Sequence, residues 1–402
     1  MDNKKKKIGI LSLYYNSFNY GGMLQAYALT KFLNNNGVDA EQIAFKNVRA
    51  SKKCIIISKK RPLYRRVLSM VKRITLYLLR SPIVIADEIT RFLYKTNKPN
   101  FKKRIKLFEQ FQGSIPHSEK IYCIDTIKEV EDKYDLFVVG SDQTWNFLWT
   151  SDEYFLNFVK DNNKKVAYAA SFGDSKYIYS NSSYIQKMLK DFKAISLREF
   201  AAVNSLEKVL GRDDIKYVVD PTLLLTRTEW DKIATKRIIR KNYVFCYFLG
   251  GDSKGRELAK QYAKKMNLKL VNMSYLYPHT VTKDDIDYGD YRIESASPLD
   301  FISLIKYSTV VFTNSFHACV FSTIFNKQFF VFNREDLKNM SERIISLCDA
   351  FDCGNHFYDG YNALSVDVLL NVPLINYFKN NQIQNLIGKS INFVNQYIIG
   401  NQ

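Results

Sequence analysis

Residues 8–45 are IGILSLYYNSFNYGGMLQAYALTKFLNNNGVDAEQIAF. Their first six residues form an apolar run that is typical of a strand inside a parallel sheet. Apolar residues recur at helical spacing from Met23 to Leu33, and Asn36-Gly37 ends the predicted helix. Residues 38–45 follow as a second strand. This strand–helix–strand order predicts a doubly wound α/β sheet, in which ligands bind at the carboxyl ends of the strands.

The same alternation continues along the chain and then starts again. Further strands are predicted at residues 135–140, 165–170, 194–197 and 217–220. After Pro221 a second series follows, with strands at residues 243–249 and 268–271 and a charged helix at residues 253–266. We therefore predict an α/β protein with two Rossmann-like domains facing a cleft. The predicted domains are residues 1–225 and residues 226–402, the second with C-terminal helices.

Composition indicates a globular protein, because 46% of the 402 residues are hydrophobic and 14% are aromatic. No apolar run reaches the roughly 18 residues that span a bilayer, and the N-terminus lacks the pattern of a signal peptide. We expect a cytoplasmic protein. The six cysteines are scattered, so we predict neither a disulfide nor a metal site.

Positive charge is concentrated in one segment, residues 46–106. This segment has 19 Lys and Arg against two acids, about +17 of the net +19. Within it, residues 61–95 combine an apolar stripe with basic residues, which is typical of a helix lying on anionic lipid. The alternative is a basic helical insertion packed on the N-terminal domain with a solvated face. Nucleic acid is not an expected partner, since no recognised motif accompanies the basic residues.

Polar residues follow several predicted strands, where an open α/β sheet builds its site. After the first strand comes Asn19-Tyr20-Gly21-Gly22, whose glycines allow close approach of a ligand to the backbone. After the strand at residues 135–140 comes the cluster Ser141, Asp142, Gln143, Thr144, Trp145 and Asn146. Each group also has a structural interpretation, as a turn or a helix cap.

Two further strand ends carry residues suited to chemistry. The strand at residues 194–197 delivers Arg198, whose guanidinium suits a phosphate or carboxylate, although it could equally pair with Glu199 at the surface. Residues 313–318, TNSFHA, place His317 where a strand ends and a helix begins. An imidazole there can donate or accept a proton, while a structural histidine is the alternative.

Six motifs occur in a characteristic order. They are NYGGMLQAYAL (19–29), FVVGSDQTWN (137–146), VAYAASFG (166–173), ISLRE (195–199), VVDPTLLL (218–225) and SPLDFISLIKYSTVVFTNSFHACVFSTIFNKQFFVF (297–332). Together they resemble the polysaccharide pyruvyl transferase family. The resemblance implies a GT-B-like fold and transfer of the enolpyruvyl group of phosphoenolpyruvate to a sugar of a bacterial surface-polysaccharide precursor. The expected products are a pyruvate ketal and phosphate.

The resemblance also implies roles for individual residues. His317 matches the family's donor-site histidine and Arg198 an arginine of its ISxRE-like strand, while Ser315 stands where some members have arginine. We predict His317 and Asp142 as catalytic residues. Predicted donor-binding residues are Arg198, Asn314, Ser315, Arg334 and Arg343. Predicted acceptor-binding residues are Tyr20, Gly21, Gly22, Ser141, Gln143, Trp145 and Asn146.

Phosphoenolpyruvate is a substrate in this scheme, so no cofactor or metal is expected. The acceptor is a sugar, and a lipid-diphosphate-linked oligosaccharide would explain the basic segment at residues 46–106 and a peripheral position on the inner face of the cytoplasmic membrane. Two other functions stay open from the sequence. One is a GT-B glycosyltransferase with a nucleotide-sugar donor, and the other is a non-catalytic scaffold for polysaccharide assembly.

Overall fold

The computed structural model describes residues 5–47, 99–148, 150–250, 252–275, 287–333, 341–359 and 364–400. Two predictions fall outside these ranges. The helix predicted within residues 61–95 lies outside the described residues, and so does Arg334. Of the basic segment, only its two ends are described.

A six-stranded parallel sheet forms the N-terminal half. Its strands are Lys7–Leu11 (β1), Asp39–Gln42 (β2), Leu136–Val139 (β5), Lys165–Ala170 (β6), Ala194–Leu197 (β7) and Lys216–Tyr217 (β8). Their order is β2-β1-β5-β6-β7-β8, so the order reverses between β1 and β5. A separate pair, Phe45–Lys46 (β3) and Tyr122–Cys123 (β4), forms a small parallel sheet.

A second six-stranded parallel sheet forms the C-terminal half. Its strands are Tyr243–Tyr247 (β9), Lys269–Met273 (β10), Tyr291–Ile293 (β11), Val310–Thr313 (β12), Gln328–Phe332 (β13) and Phe357–Tyr358 (β14). The order β11-β10-β9-β12-β13-β14 is the Rossmann order, with its reversal between β9 and β12. The prediction of an α/β protein with two Rossmann-like domains in a GT-B-like arrangement is confirmed.

Helices cover both sheets. Those preceding β9 are Tyr20–Asn35 (α1), Pro99–Gly113 (α2), Lys176–Ser180 (α3), Ser182–Leu189 (α4), Phe200–Leu210 (α5) and Arg227–Ile233 (α6). Those following it are Ser253–Lys265 (α7), Pro298–Lys306 (α8), Phe316–Ile324 (α9), Glu342–Ala350 (α10), Val366–Leu370 (α11) and Asn381–Val394 (α12). No described helix combines the length and the apolar composition needed to cross a bilayer.

Element bounds differ from the sequence prediction in several places. The first helix begins at Tyr20, because the Asn19 side chain accepts hydrogen bonds from the backbone N–H groups of Gly21 and Gly22. The glycines therefore lie in the first helical turn and not in the loop. The strand predicted at residues 38–45 is divided between β2 and β3. The strand predicted at residues 217–220 ends at Tyr217, because the turn that begins at Pro221 is capped from the residue before it.

The C-terminal helix α12 returns to the N-terminal sheet. The backbone N–H of Val219 donates to Ser390 Oγ at 2.9 Å, and the rings of Tyr168 and Phe393 lie 6.2 Å apart. The predicted domain boundary at residue 225 places α12 in the second domain and does not account for its contact with the first. A chain segment that follows the second domain thus holds the end of the first.

A second contact between the domains involves Tyr20 at the start of α1. Its hydroxyl donates to the backbone oxygen of Ala296 at 3.0 Å, and its ring stacks on Phe301 with centroids 5.0 Å apart. Arg104 on α2 lies 4.8 Å from the Tyr20 ring and donates to the backbone oxygen of Ser274 at 3.1 Å. The C-terminal end of the basic segment is therefore anchored between the two sheets.

Candidate functional site

Residues that follow four strands meet between the two domains. Asp142, Arg198 and Asp220 come after β5, β7 and β8 of the N-terminal sheet, and His317 comes after β12 of the C-terminal sheet. All four side chains are buried, with exposures from 2% to 7%. The carboxyl ends of parallel strands converge at one edge of each sheet, and here the two edges face one another.

Arg198 lies at the centre of this cluster. Its Nη2 donates to Asp142 Oδ1 at 3.0 Å and its Nη1 donates to Asp220 Oδ2 at 2.8 Å. Its Nε lies 3.8 Å from Glu199 Oε1. Buried charges are tolerated only when they are paired in this way. A donor anion at Arg198 would have to share the guanidinium with these carboxylates, so its donor-binding role stays a prediction.

The pKa values of the buried carboxyl groups are shifted in different directions by this environment. Burial would raise the pKa of Asp220, but His317 and Arg198 outweigh burial and hold this pKa well below its usual range. The pKa of Asp142 is also lowered, because Arg198, His317 and Arg343 together overcome the effect of burial. Burial prevails at Glu199 and raises the pKa of its carboxyl. Asp142 and Asp220 are thus ionised near neutral pH.

His317 reaches across the domain boundary from the first turn of α9. Its Nε2 lies 3.5 Å from Asp220 Oδ2, slightly beyond ordinary hydrogen-bond length. On its other side the ring packs directly on the backbone of Gly21, where a Cβ atom would stand 1.9 Å from His317 Nδ1. The imidazole therefore fits between α1 and the Asp220 carboxylate.

Arg343, near the start of α10, joins the cluster from the C-terminal domain. Its Nη1 lies 3.9 Å from Asp142 Oδ1, and its guanidinium contacts the side-chain amide of Gln143. The guanidinium carbons of Arg198 and Arg343 lie 4.4 and 5.8 Å from the centroid of the Phe316 ring. A cavity of about 20 Å³ adjoins these three residues, which is room for about one water molecule.

Asn314 and Ser315 connect the cluster to the C-terminal sheet. Asn314 Oδ1 accepts a hydrogen bond from the backbone N–H of Leu249 at 2.6 Å, which joins the ends of β9 and β12 at the reversal of strand order. Asn314 Nδ2 is buried and has no hydrogen-bond partner among the described residues. Ser315 precedes α9, and its backbone N–H donates to Thr313 Oγ1 at 3.0 Å. Both residues lie beside His317, as the sequence order requires.

The predicted acceptor residues divide into two groups. Ser141 is in the cluster, since its Oγ donates to Asp220 Oδ2 at 3.2 Å. Gln143 and Asn146 have their amides 2.9 Å apart beside it, Gly21 contacts His317, and Gly22 follows in the same turn.

Trp145 and Tyr20 lie elsewhere. Trp145 is fully buried, stacks on Phe155 and donates from Nε1 to the backbone oxygen of Tyr154 at 3.0 Å. Tyr20 is buried in the interdomain contact with Phe301. Both rings are covered by these neighbours, so neither has a free face on which a sugar could stack. The structure therefore does not place Trp145 and Tyr20 among the side chains of the cluster.

Sequence reasoning assigned no role to Asp220 or Phe316. Asp220 was present in the motif VVDPTLLL, where an acid directly after an apolar strand and before proline is a signal comparable to that of Asp142. Phe316 carries no such signal, because its packing under two guanidinium groups depends on the tertiary structure. Within the described ranges no three His, Cys, Asp or Glu side chains are grouped as metal ligands. The arrangement can bind an anion and transfer a proton.

The family model for polysaccharide pyruvyl transferase matches residues 19–336, which is more than half of the chain. No curated protein matches the chain. Among solved structures, UDP-N-acetylglucosamine 2-epimerase from Rickettsia bellii is 10% identical, with 98% of this chain and 99% of that chain covered and a TM-score of 0.48. ADP-heptose lps heptosyltransferase II of E. coli is 9% identical, with 96% and 99% covered and a TM-score of 0.35.

Proposed function

The chain belongs to the polysaccharide pyruvyl transferase family, and we propose that it transfers the enolpyruvyl group of phosphoenolpyruvate to a sugar of a surface-polysaccharide precursor. The proposed products are a cyclic pyruvate ketal and inorganic phosphate. One observation carries the proposal. His317 from one domain meets Arg198, Asp142 and Asp220 from the other, and Arg343 lies at the edge of the same cluster.

Binding of the donor requires cations, because phosphoenolpyruvate carries a carboxylate and a phosphate. Arg343 and Arg198 offer two guanidinium groups within one cluster, and planar guanidinium groups suit both anions. The N-terminus of α9, which begins at Phe316, adds backbone N–H groups beside His317. Ser315 replaces a family arginine here, so the anion is assigned to the arginines of other elements.

The chemistry begins with a proton transfer. His317 gives a proton to the methylene carbon of phosphoenolpyruvate, which becomes a methyl group and leaves an oxocarbenium-like centre at the neighbouring carbon. A sugar hydroxyl attacks this centre, and a base takes the hydroxyl proton. A second hydroxyl of the same sugar then forms the second C–O bond while the bond to phosphate breaks. The leaving phosphate takes away the electron pair and the last proton.

Asp142 is the proposed base or orienting group for the sugar hydroxyl. Its pKa is held low by Arg198, His317 and Arg343 against the effect of burial, so it is a carboxylate at neutral pH. A carboxylate accepts hydrogen bonds from hydroxyl groups, and Ser141 and Gln143 beside it can bind further sugar oxygens.

The test is release of inorganic phosphate from phosphoenolpyruvate, with free and lipid-linked galactosides, glucosides and N-acetylhexosaminides as acceptors. We expect acceptor-dependent release by the wild type and loss of about 100-fold or more in His317→Ala, since general acid–base catalysis contributes about this much. His117→Ala is the matched control, because His117 bonds to the backbone oxygen of Ile115 away from the cluster.

Ligand protection from heat provides a second readout. Stabilisation by phosphoenolpyruvate supports the proposed donor. Stabilisation by a nucleoside diphosphate instead, together with no phosphate release in the presence of any acceptor, would overturn the proposal in favour of a nucleotide-sugar donor.

A further inference from the structure

Asp220 is held in a fixed position by its own turn. The residue follows β8, precedes Pro221 and is 2% exposed. Its Oδ1 accepts hydrogen bonds from the backbone N–H and the hydroxyl of Thr222, at 3.1 and 2.7 Å. One carboxylate oxygen is thus bonded within the turn, and only Oδ2 is directed toward the cluster.

Oδ2 is shared by three groups from different elements. It accepts from Arg198 Nη1 at 2.8 Å and from Ser141 Oγ at 3.2 Å, and it lies 3.5 Å from His317 Nε2. The first two belong to the N-terminal domain and the third belongs to the C-terminal domain. A single oxygen atom of Asp220 is therefore next to polar side chains of both domains.

The turn that carries Asp220 is itself anchored on three sides. Ser390 on α12 accepts from the backbone N–H of Val219 at 2.9 Å. The hydroxyl of Tyr168 on β6 donates to the backbone oxygen of Val219 at 3.1 Å. Trp230 on α6 donates from Nε1 to the backbone oxygen of Thr222 at 3.0 Å. These bonds hold the Asp220 carboxylate in place beside the imidazole.

We propose that Asp220 is a positioning residue that orients the His317 imidazole across the domain boundary, by holding a proton on Nε2, while it keeps Arg198 in place. The proposal rests on the proposed function of the site. Gly21 lies against the ring on one side and Asp220 faces Nε2 on the other, so the two residues together confine the imidazole. Catalytic hydrogen bonds are often long without substrate and tighten in the complex, and the distance of 3.5 Å allows this.

Two physical effects explain how the Asp220 carboxylate would assist the His317 imidazole. A carboxylate that faces one ring nitrogen determines which nitrogen carries the proton, as in other histidines oriented by a carboxylate. A fixed negative charge also attracts the ring when it is positively charged. Asp220 does not touch the reacting atoms in this scheme, so its loss should lower turnover more than donor binding.

The kinetic test compares Asp220→Asn and Asp220→Glu with the wild type. We expect Asp220→Asn to lower kcat about 10- to 100-fold, the loss that a small misplacement of a catalytic group causes. KM for phosphoenolpyruvate should change by less than about threefold, because Asp142 still accepts a hydrogen bond from Arg198 in the variant. Asp220→Glu, which keeps the charge, should recover part of kcat. Asp214→Asn is the control, because Asp214 pairs with Arg212 outside the cluster.

A measurement that needs no activity separates this proposal from the proposed function. Nuclear magnetic resonance of protein with ¹⁵N-labelled histidine reports which ring nitrogen carries a proton, and His317→Ala identifies the signal among the four histidines. We expect a proton on Nε2 of His317 in the wild type and a changed signal in Asp220→Asn. A neutral ring protonated on Nδ1 alone would overturn the proposal, even if Asp220→Asn failed to fold. So would unchanged kcat in a folded Asp220→Asn protein.

If phosphate release fails with the wild type while the Nε2 proton depends on Asp220, the positioning role stands and the proposed donor is wrong. If phosphate is released normally and the Nε2 proton is absent, the donor stands and the role of Asp220 is wrong. The two failures are therefore distinguishable.

Discussion

At the scale of single residues, Gly21 determines whether His317 can reach the cluster. A Cβ atom at residue 21 would stand 1.9 Å from His317 Nδ1 and 2.3 Å from its Cγ, far inside van der Waals contact. Gly21 lies within α1, so alanine suits the local backbone and even favours the helix. We expect Gly21→Ala to leave the fold intact and to displace the imidazole, lowering phosphate release about 100-fold.

Circular dichroism and phosphate release check this prediction together. Gly388→Ala in α12 is the matched control, because nothing lies within 4 Å of a Cβ atom there and the helix is equally compatible with alanine. Wild-type turnover by Gly21→Ala would show that contact between α1 and His317 does not matter for the reaction.

A second residue, His356, is expected to make stability depend on pH in mild acid. Its ring is buried beside Phe329 and Tyr377, and burial lowers its pKa from 6.5 to about 4. The unfolded chain binds a proton more readily than the folded one, so this contribution to stability is present above pH 6.5. It is lost as the pH falls through the folded pKa.

We expect the free energy of unfolding to fall by roughly 2 kcal/mol from this residue between about pH 7.5 and pH 5. Asp142 and Asp220 add to the loss only at lower pH, because their folded pKa values lie below the ordinary value of 3.8. Urea unfolding of the wild type and of His356→Gln at both pH values measures the difference. Equal pH dependence in the two proteins would contradict the assignment to His356.

At the scale of elements, one carboxylate fixes helix α10 to the N-terminal domain. Glu342, at the start of α10, accepts from the backbone N–H of Ser175 at 2.9 Å and from its hydroxyl at 2.6 Å. The next residue in the helix, Arg343, faces Asp142. The contact therefore helps to place Arg343 in the cluster.

Glu342→Ala should remove both charge-assisted hydrogen bonds and lower the free energy of unfolding by about 1–3 kcal/mol. We also expect a higher KM for phosphoenolpyruvate, because Arg343 is less well held. Asp349→Ala is the control, since Asp349 is exposed on the same helix. Urea unfolding and donor titrations provide the measurements, and identical results for the two variants would refute the role of this contact.

The bounds of individual elements show which strands and helices the sequence predicts correctly. The strands β6 and β7 were predicted at their observed bounds, because each is an apolar run with clear polar ends. The apolar run at residues 302–312 contains two elements, the end of α8 and most of β12, which hydrophobicity alone does not separate. The capping box of Ser297 and Asp300 begins that helix, and the same two residues are a local sequence signal for a helix start.

At the scale of the whole molecule, charge separates one segment from the rest. Residues 46–106 carry about +17 and lie largely outside the described residues, so the prediction about them rests on the sequence. We expect the protein to sediment with vesicles that contain anionic lipid and not with zwitterionic vesicles. Binding should weaken as salt is raised, because the attraction is electrostatic.

Deletion of residues 61–95 should abolish sedimentation while phosphate release with a free sugar acceptor is kept. Failure of the full chain to bind anionic vesicles at moderate salt would exclude this membrane surface. The sugar acceptor, and not a membrane surface, would then be the partner of the protein.

The sequence alone determined the two α/β series, because hydrophobic period and turn residues are local properties of a chain. It also placed Asp142, Arg198 and His317 at strand ends, since a motif consists of neighbouring residues and can be recognised without the fold. Only the tertiary structure decided which of these side chains meet. Asp220 bonds to Arg198 because β7 and β8 are neighbours in one sheet, and it approaches His317 because two sheets face each other. Trp145 is buried because Phe155 and Phe172 surround it. Such contacts join residues that are far apart along the chain, and no local pattern encodes them.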